Sequence, residues 1–235
     1  MEVIPVIDLK GGVVVHARQG NRGAYRPIET PLSASSAPAD VVTGLLKLYP
    51  SRRLYIADLD GIAGHPPHTA TLLALAAQFP QLELWIDNGI AEPAAATTWL
   101  TQSLSHLVIG SESQTDTTLL QTLRAHPQTI LSLDFRGDTF QGPSEILHNT
   151  ALWPQRLIVM TLTRVGSSSG PDLARLKSII ARAVNRPVYA AGGVRDRTDL
   201  LALTAAGAAG VLVATALHSG KLTAENLAAN GAARP

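Results

Sequence analysis

The sequence predicts an α/β fold, a (β/α)8 TIM barrel with an internal half-barrel duplication. Three observations carry this. Eight β-rich runs alternate with Ala/Leu-rich helical stretches, the length suits one such barrel, and the two halves can be laid over one another. The runs that read as strands are Glu2–Asp8, Arg53–Asp58, Leu82–Asp87, His106–Gly110, Thr129–Asp134, Arg156–Thr161, Pro187–Ala191 and Gly210–Ala214. Each is short, rich in Val, Ile and Leu, and weakly alternating, as strands covered on both faces should be. Between them, Thr69–Phe79 and Asp172–Val184 carry apolar residues at three- and four-residue spacing. Asp172 follows Gly170-Pro171 and opens its run, and Asp196 stands before Leu200–Ala206 as a helix cap. Consecutive βα units imply parallel strands with right-handed crossovers, and eight of them close a barrel. A doubly wound open sheet would show a Gly-rich dinucleotide loop after its first strand. Here that position reads Asp8-Leu9-Lys10-Gly11-Gly12.

The chain has 235 residues, and about 250 is typical of this barrel, so one domain over 1–235 is expected. The repeats would cover about 1–125 and 126–235. Cys is absent, which excludes a disulfide framework, a Cys-based metal site and a Cys nucleophile. A net charge of +1 gives no global excess for nucleic acid or anionic lipid. Met1 leads directly into an apolar run with no basic leader, and no apolar stretch approaches a membrane span. A soluble cytoplasmic protein, monomeric or a small homo-oligomer, follows by default. Residues 11 to 37 form a long connection after the first strand, readable as an insertion or as a lid over the active face. Its opening half, Gly11–Gly20, is apolar enough to fold onto the barrel.

The repeat shows at three places. Ile7-Asp8-Leu9-Lys10-Gly11 matches Leu133-Asp134-Phe135-Arg136-Gly137, Asn88-Gly89-Ile90 matches Gly192-Gly193-Val194, and Gly110-Ser111 matches Ala214-Thr215. The last two pairs share one displacement and the first pair is displaced further, as duplication plus one expanded loop would leave. In this architecture reactive groups sit at the C-terminal ends of strands. Asp8 and Asp134 end the first and fifth strands, across the mouth from each other. Two such carboxylates can act as general base and general acid if their environments separate their pKa values. Alternatively, each caps the following turn or pairs with Lys10 or Arg136. Phosphate binding is the second element. Gly192 and Gly193 follow strand seven, Ala214 and Thr215 start a short helix after strand eight, and Gly166-Ser167-Ser168-Ser169-Gly170 follows strand six. Glycines allow close backbone approach to phosphate oxygens. Gly89, Gly110 and Ser111 are the first-half counterparts.

The segments Ile4–Gly12, Ala57–Pro66, Ser132–Asp138, Ser168–Leu173 and Ala190–Val194 resemble motifs of the histidine-biosynthesis HisA/HisF barrel family, through nearly the whole chain. Within it the resemblance is to the isomerase branch. It implies a cofactor-independent Amadori rearrangement, in which an acid opens the ring of an aminoaldose phosphate and a base moves a proton from C2. The substrate implied is a small phosphorylated metabolite with a phosphate at each end. Carried over by motif, Asp8 is the general base and Asp134 its acid partner, with no metal.

Several positions depart from the family pattern. The first-half phosphate loop, Gly-Gly-Gly-Ile-Arg in the family, reads Asp87-Asn88-Gly89-Ile90-Ala91 here, and a carboxylate there repels a phosphate dianion. Val-Gly-Arg at the eighth strand becomes Val213-Ala214-Thr215, and an Arg of the first loop aligns with His16. Counting back from Gly166, Met160 occupies the place of the family's catalytic Thr and Val165 that of its Asp. A one-residue shift recovers Thr161 but turns its side chain to the other face. The departure at the first loop is similar to a HisA-related group of archaea and methylotrophs tied to tetrahydromethanopterin- and methanofuran-linked C1 metabolism. Three readings stay open: the isomerase, a diverged relative with another substrate, and a catalytically silent phosphate-ligand barrel.

Other residues carry blander expectations. Asp58 and Asp60 are family-like loop residues or structural turn residues. His65 and His68 lack a third ligand for a metal. Trp85, Trp99 and Trp153 are expected between helices and sheet, and Arg52-Arg53 as a solvated pair.

Overall fold

Aliphatic and β-branched runs form eight strands: β1 (Glu2–Lys10), β2 (Arg53–Asp58), β3 (Glu83–Asp87), β4 (His106–Gly110), β5 (Thr129–Arg136), β6 (Arg156–Thr161), β7 (Val188–Ala191) and β8 (Gly210–Val213). In this computed structural model, which describes residues 1–17, 22–102, 105–167 and 169–231, each strand pairs in parallel with the next. β8 returns to pair with β1, Glu2 opposite Gly210 and Pro5 opposite Val213, so the sheet closes into a (β/α)8 barrel. The predicted strands are all present, with ends moved by one or two residues. Helices Pro38–Leu48, Thr69–Gln78, Pro93–Thr101, Leu173–Ala183 and Arg197–Ala205 lie among the connections. Both expected aspartate caps form. Asp172 accepts from the Arg175 N–H at 3.1 Å, and Asp196 from the N–H groups of Thr198 and Asp199 at 2.8 and 3.2 Å. Among the described residues no helix is long and apolar enough to cross a membrane.

The strand period of two divides the core in two layers. Val3, Ile7, Leu54, Ile56, Leu84 and Leu133 face the helices, whereas Ile4, Tyr55, Trp85, Ile130, Ile158 and Tyr189 fill the barrel. Trp85 therefore does not pack between helix and sheet as expected. It occupies an inward position of β3, edge-on to Tyr189 at 4.8 Å, and Nε1 donates to Glu83 at 2.8 Å. Trp99 and Trp153 do lie in the outer layer. Arg53 is likewise not a solvated charge: it bridges Glu2 and Glu83 and lies over the Trp85 ring, linking three neighbouring strands at the closed end.

The long connection after β1 is ordered onto the barrel where it is described; residues 18–21 lie outside the described residues. Val13–Val15 turns back antiparallel along β1, Asp8 opposite Val15, and Val14 and Val15 are buried. In the second half only Tyr25 and Ile28 are buried among the described residues, and most of the others are exposed, as its polar composition suggests. Farther on, the Thr30 hydroxyl lies 3.2 Å from His218 Nδ1 and 3.3 Å from the His218 carbonyl. Burial, reinforced by His16, holds His218 down at about 4, so this attachment is made to a neutral imidazole near neutral pH.

Candidate active site

Register sets the mouth of the barrel. Asp8 lies opposite Ala57, and Ala57 opposite Asp87, across β1, β2 and β3. In the other half Asp134 lies opposite Met160, and Met160 opposite Ala191, across β5, β6 and β7. The two rows lie four strands apart in the ring, and they differ in chemistry. One end of the first row is Asp87, where the second row has Ala191. Both rows border a single cavity of about 920 Å³, counting the open space at its mouth.

Of the residues singled out in the sequence, Asp8, Asp134, Gly166, Ser167, Gly192, Gly193, Ala214 and Thr215 all line this cavity. Ser168 lies outside the described residues. Gly192 and Gly193 have φ of +100° and +87°, and an added Cβ would come within 2.7 Å of the Thr161 carbonyl and 2.2 Å of the Gly170 carbonyl. Only glycine lets the loops after β6 and β7 meet this closely. Arg164 fastens the arrangement, donating to the carbonyls of Gly170 and Pro171 at 2.8 and 3.0 Å. Arg195 is held against Asp199 rather than turned to the cavity.

Thr161, Gly89, Gly110 and Ser111 are placed elsewhere. Ile158 and Met160 face inward, so Thr161 faces outward by strand alternation, its hydroxyl 3.4 Å from Arg175 Nη1. Met160 holds the place on the cavity wall. Gly89, at φ +72°, backs onto Gly61 and Ile62. Ser111 is engaged with Asp134: its hydroxyl donates to Oδ2 at 3.2 Å and accepts from the Asp134 N–H at 2.9 Å. Gly110 acts as a spacer, because a Cβ on it would lie 3.0 Å from Asp87 Oδ2 and 3.4 Å from Asp134 Oδ2. Two acidic side chains thus converge over one glycine. That apposition, and the presence of Glu112, Tyr25 and Tyr55 among the residues lining the cavity, was not read from the sequence.

The electrostatics follow from this crowding. Asp134 is 3 % exposed and takes hydrogen bonds from the Ser132 hydroxyl at 2.6 Å and the Glu112 N–H at 3.1 Å. Burial, then the Glu112 carboxylate, pushes its carboxyl up to about 7 against those bonds. Burial and the neighbouring carboxylates, Asp87 foremost, likewise raise Tyr55, whose hydroxyl lies 3.4 Å from Asp87 Oδ2. Glu112→Gln is expected to lower the Asp134 midpoint by roughly one pH unit, read by carbon-detected NMR titration of that carboxyl. An unmoved midpoint would remove Glu112 as a cause.

Asp58 and Asp60 serve the scaffold. Asp58, fully buried, accepts from the backbone of His68 at 2.6 Å and sits 2.9 Å from its Nδ1, and Asp60 accepts from the Gly11 N–H at 2.7 Å. His68 is thereby committed to two carboxylates, with Nε2 3.4 Å from Asp60. This network joins the loops after β1 and β2.

The fold and site define a parallel (β/α)8 barrel with a carboxyl at the ends of β1 and β5, both facing one cavity. The chain belongs to the family described as histidine biosynthesis protein, whose model matches residues 2–223. It is 30% identical over 94% of both chains to the protein of Halorhodospira halophila named 1-(5-phosphoribosyl)-5-((5-phosphoribosylamino)methylideneamino) imidazole-4-carboxamide isomerase. It is 28% identical to the protein of that name from Methanosphaerula palustris, over 96% of this chain and 97% of that one. An uncharacterized protein of Methanocaldococcus jannaschii is 29% identical over 97% of each chain.

Proposed function

We propose that this protein is a cofactor-independent aldose–ketose isomerase of the Amadori type, acting on a phosphorylated aminosugar. The observation that carries the reading is the pair Asp8 and Asp134, four strands apart in an eight-stranded ring and facing one cavity. Asp134, holding its proton up to about pH 7, is suited to protonate the ring oxygen as the sugar opens. Asp8, partly open to solvent, is suited to take the proton from C2. One phosphate is read into the backbone cradle of Gly166, Ser167, Gly192, Gly193 and Thr215. Thr161 has its place in this proposal through its backbone, against Gly192, rather than as a hydroxyl in the cavity.

The test is turnover. The wild-type protein should convert the bis-phosphorylated substrate of the isomerase relatives, or a mono-phosphorylated aminoaldose, to the aminoketose. Asp8→Asn should lose this activity by about 10³-fold or more while keeping its fold. Binding without turnover in the wild type would instead favour a silent ligand-binding barrel. One observation favours a second reading, a relative with a changed substrate: Asp87 is a carboxylate at the first-half position that corresponds to Ala191. Methanopterin-linked C1 metabolism is one setting for such a relative.

A further inference from the structure

We infer that Ser111 is a positioning residue, which fills one side of the Asp134 carboxyl and thereby confines its proton to Oδ1. The inference deepens the preceding reading: it rests on that reading for the role of Asp134 as the acid, and names the oxygen from which the proton leaves. A carboxyl oxygen has two lone-pair positions. Both are taken on Asp134 Oδ2, by the Ser111 hydroxyl at 3.2 Å and by the Glu112 N–H at 3.1 Å. Oδ1 accepts from the Ser132 hydroxyl at 2.6 Å, which leaves it one position. A proton on Oδ2 would have to displace a donor, whereas Oδ1 takes it without loss.

The direction of the Ser111 hydrogen is set by a second contact. Its oxygen accepts from the Asp134 N–H at 2.9 Å, and a backbone N–H can only donate. With that N–H on the oxygen, the hydroxyl hydrogen is left for Oδ2. Ser111 directly follows β4, whose Gly110 pairs with Ser132 of β5, so the carboxyl is held from a neighbouring strand end as well as from its own strand. The comparison between the halves points the same way. Thr215, the counterpart of Ser111 in the repeat, lines the cavity, whereas Ser111 is fully buried and does not. A hydroxyl shut away from the cavity does not contact a substrate, but it can aim the carboxyl that lines it.

Neutron crystallography of the full wild-type chain in heavy water, held about one pH unit below the Asp134 midpoint, tests this directly. The deuteron should stand on Oδ1, with the Ser111 deuteron directed at Oδ2. A deuteron on Oδ2, or a Ser111 hydroxyl turned away from Asp134, overturns the inference. Ser111→Ala gives a second measurement in solution. Losing a donor to the charged form should raise the Asp134 midpoint by about one pH unit in carbon-detected NMR. Ser111→Cys, similar in shape but a weak donor, should move it the same way. Asp8, Tyr25, Tyr55, Asp87, Glu112 and Arg136, the other ionisable side chains lining the cavity, are the same in all three proteins, so the difference reports the hydroxyl. An unmoved midpoint overturns the inference, and a variant that fails to fold leaves the wild-type neutron map to decide it. In turnover, Ser111→Ala should lower kcat by about tenfold and leave KM within about twofold, its pH profile moving with the midpoint. A raised KM with an unmoved profile would instead return Ser111 to phosphate binding. Absence of turnover in the wild type overturns the isomerase reading alone, because the neutron and NMR outcomes still place the proton.

Discussion

Asp134→Asn should lower kcat by about 10²- to 10⁴-fold and yet make the protein more stable at pH 8. The activity loss follows from removing the proposed proton donor, a carboxyl held up to about 7 in the cavity wall. The gain in stability follows from the same displacement. The folded carboxyl titrates near 7, against an ordinary value of 3.8 in the unfolded chain. Between those limits the folded state holds the extra proton, so stability falls as pH rises from about 4 to about 7 and stays at its low level above. Removing the charge recovers on the order of 4 kcal/mol above pH 7, less whatever the amide loses in fit, and nothing below pH 4. The fit is favourable. The amide oxygen can face the Glu112 N–H, and the Ser132 hydroxyl can turn to accept from the amide nitrogen. Thermal unfolding at pH 4 and pH 8 reads the difference; an equal shift at both values would sink the account.

Gly193→Val should cost more than about 3 kcal/mol and abolish binding of inorganic phosphate. A β-branched side chain is strained at φ +87°, and its Cβ would overlap the Gly170 carbonyl, forcing apart the loops after β6 and β7. Gly220→Ala isolates the backbone part, because Gly220 has φ +71° with open space where a Cβ would go. That control should cost about 1 kcal/mol and leave phosphate binding alone. Urea unfolding with phosphate titration distinguishes the two. A Gly193→Val protein as stable as the control would show that the loops are not closely apposed.

The barrel itself was legible because eight aliphatic runs with intervening helical periods admit few closed arrangements. Asp8 and Asp134 were legible as cavity residues because strand ends in this architecture have a known address. What escaped was set by contacts between strands. Trp85 and Arg53 look ordinary in sequence, yet one lies inside the barrel and the other joins Glu2 to Glu83. Ser111 read as a phosphate contact, but its nearest demand is the buried Asp134, and a hydroxyl serves the closer and more costly charge. Thr161 matched a motif only by shifting register, and strand alternation sends it to the helix side. The meeting of Asp87 and Asp134 over Gly110 joins three strands and is visible only after they pair.

The stacked side chains below the cavity have a further consequence for traffic. Ile4, Trp85, Ile130, Ile158 and Tyr189 fill the barrel, so among the described residues the cavity ends on packed side chains rather than on a channel through the ring. In the proposed reaction, substrate and product would therefore contend for the same passage, and a product that lingers would itself inhibit the next entry.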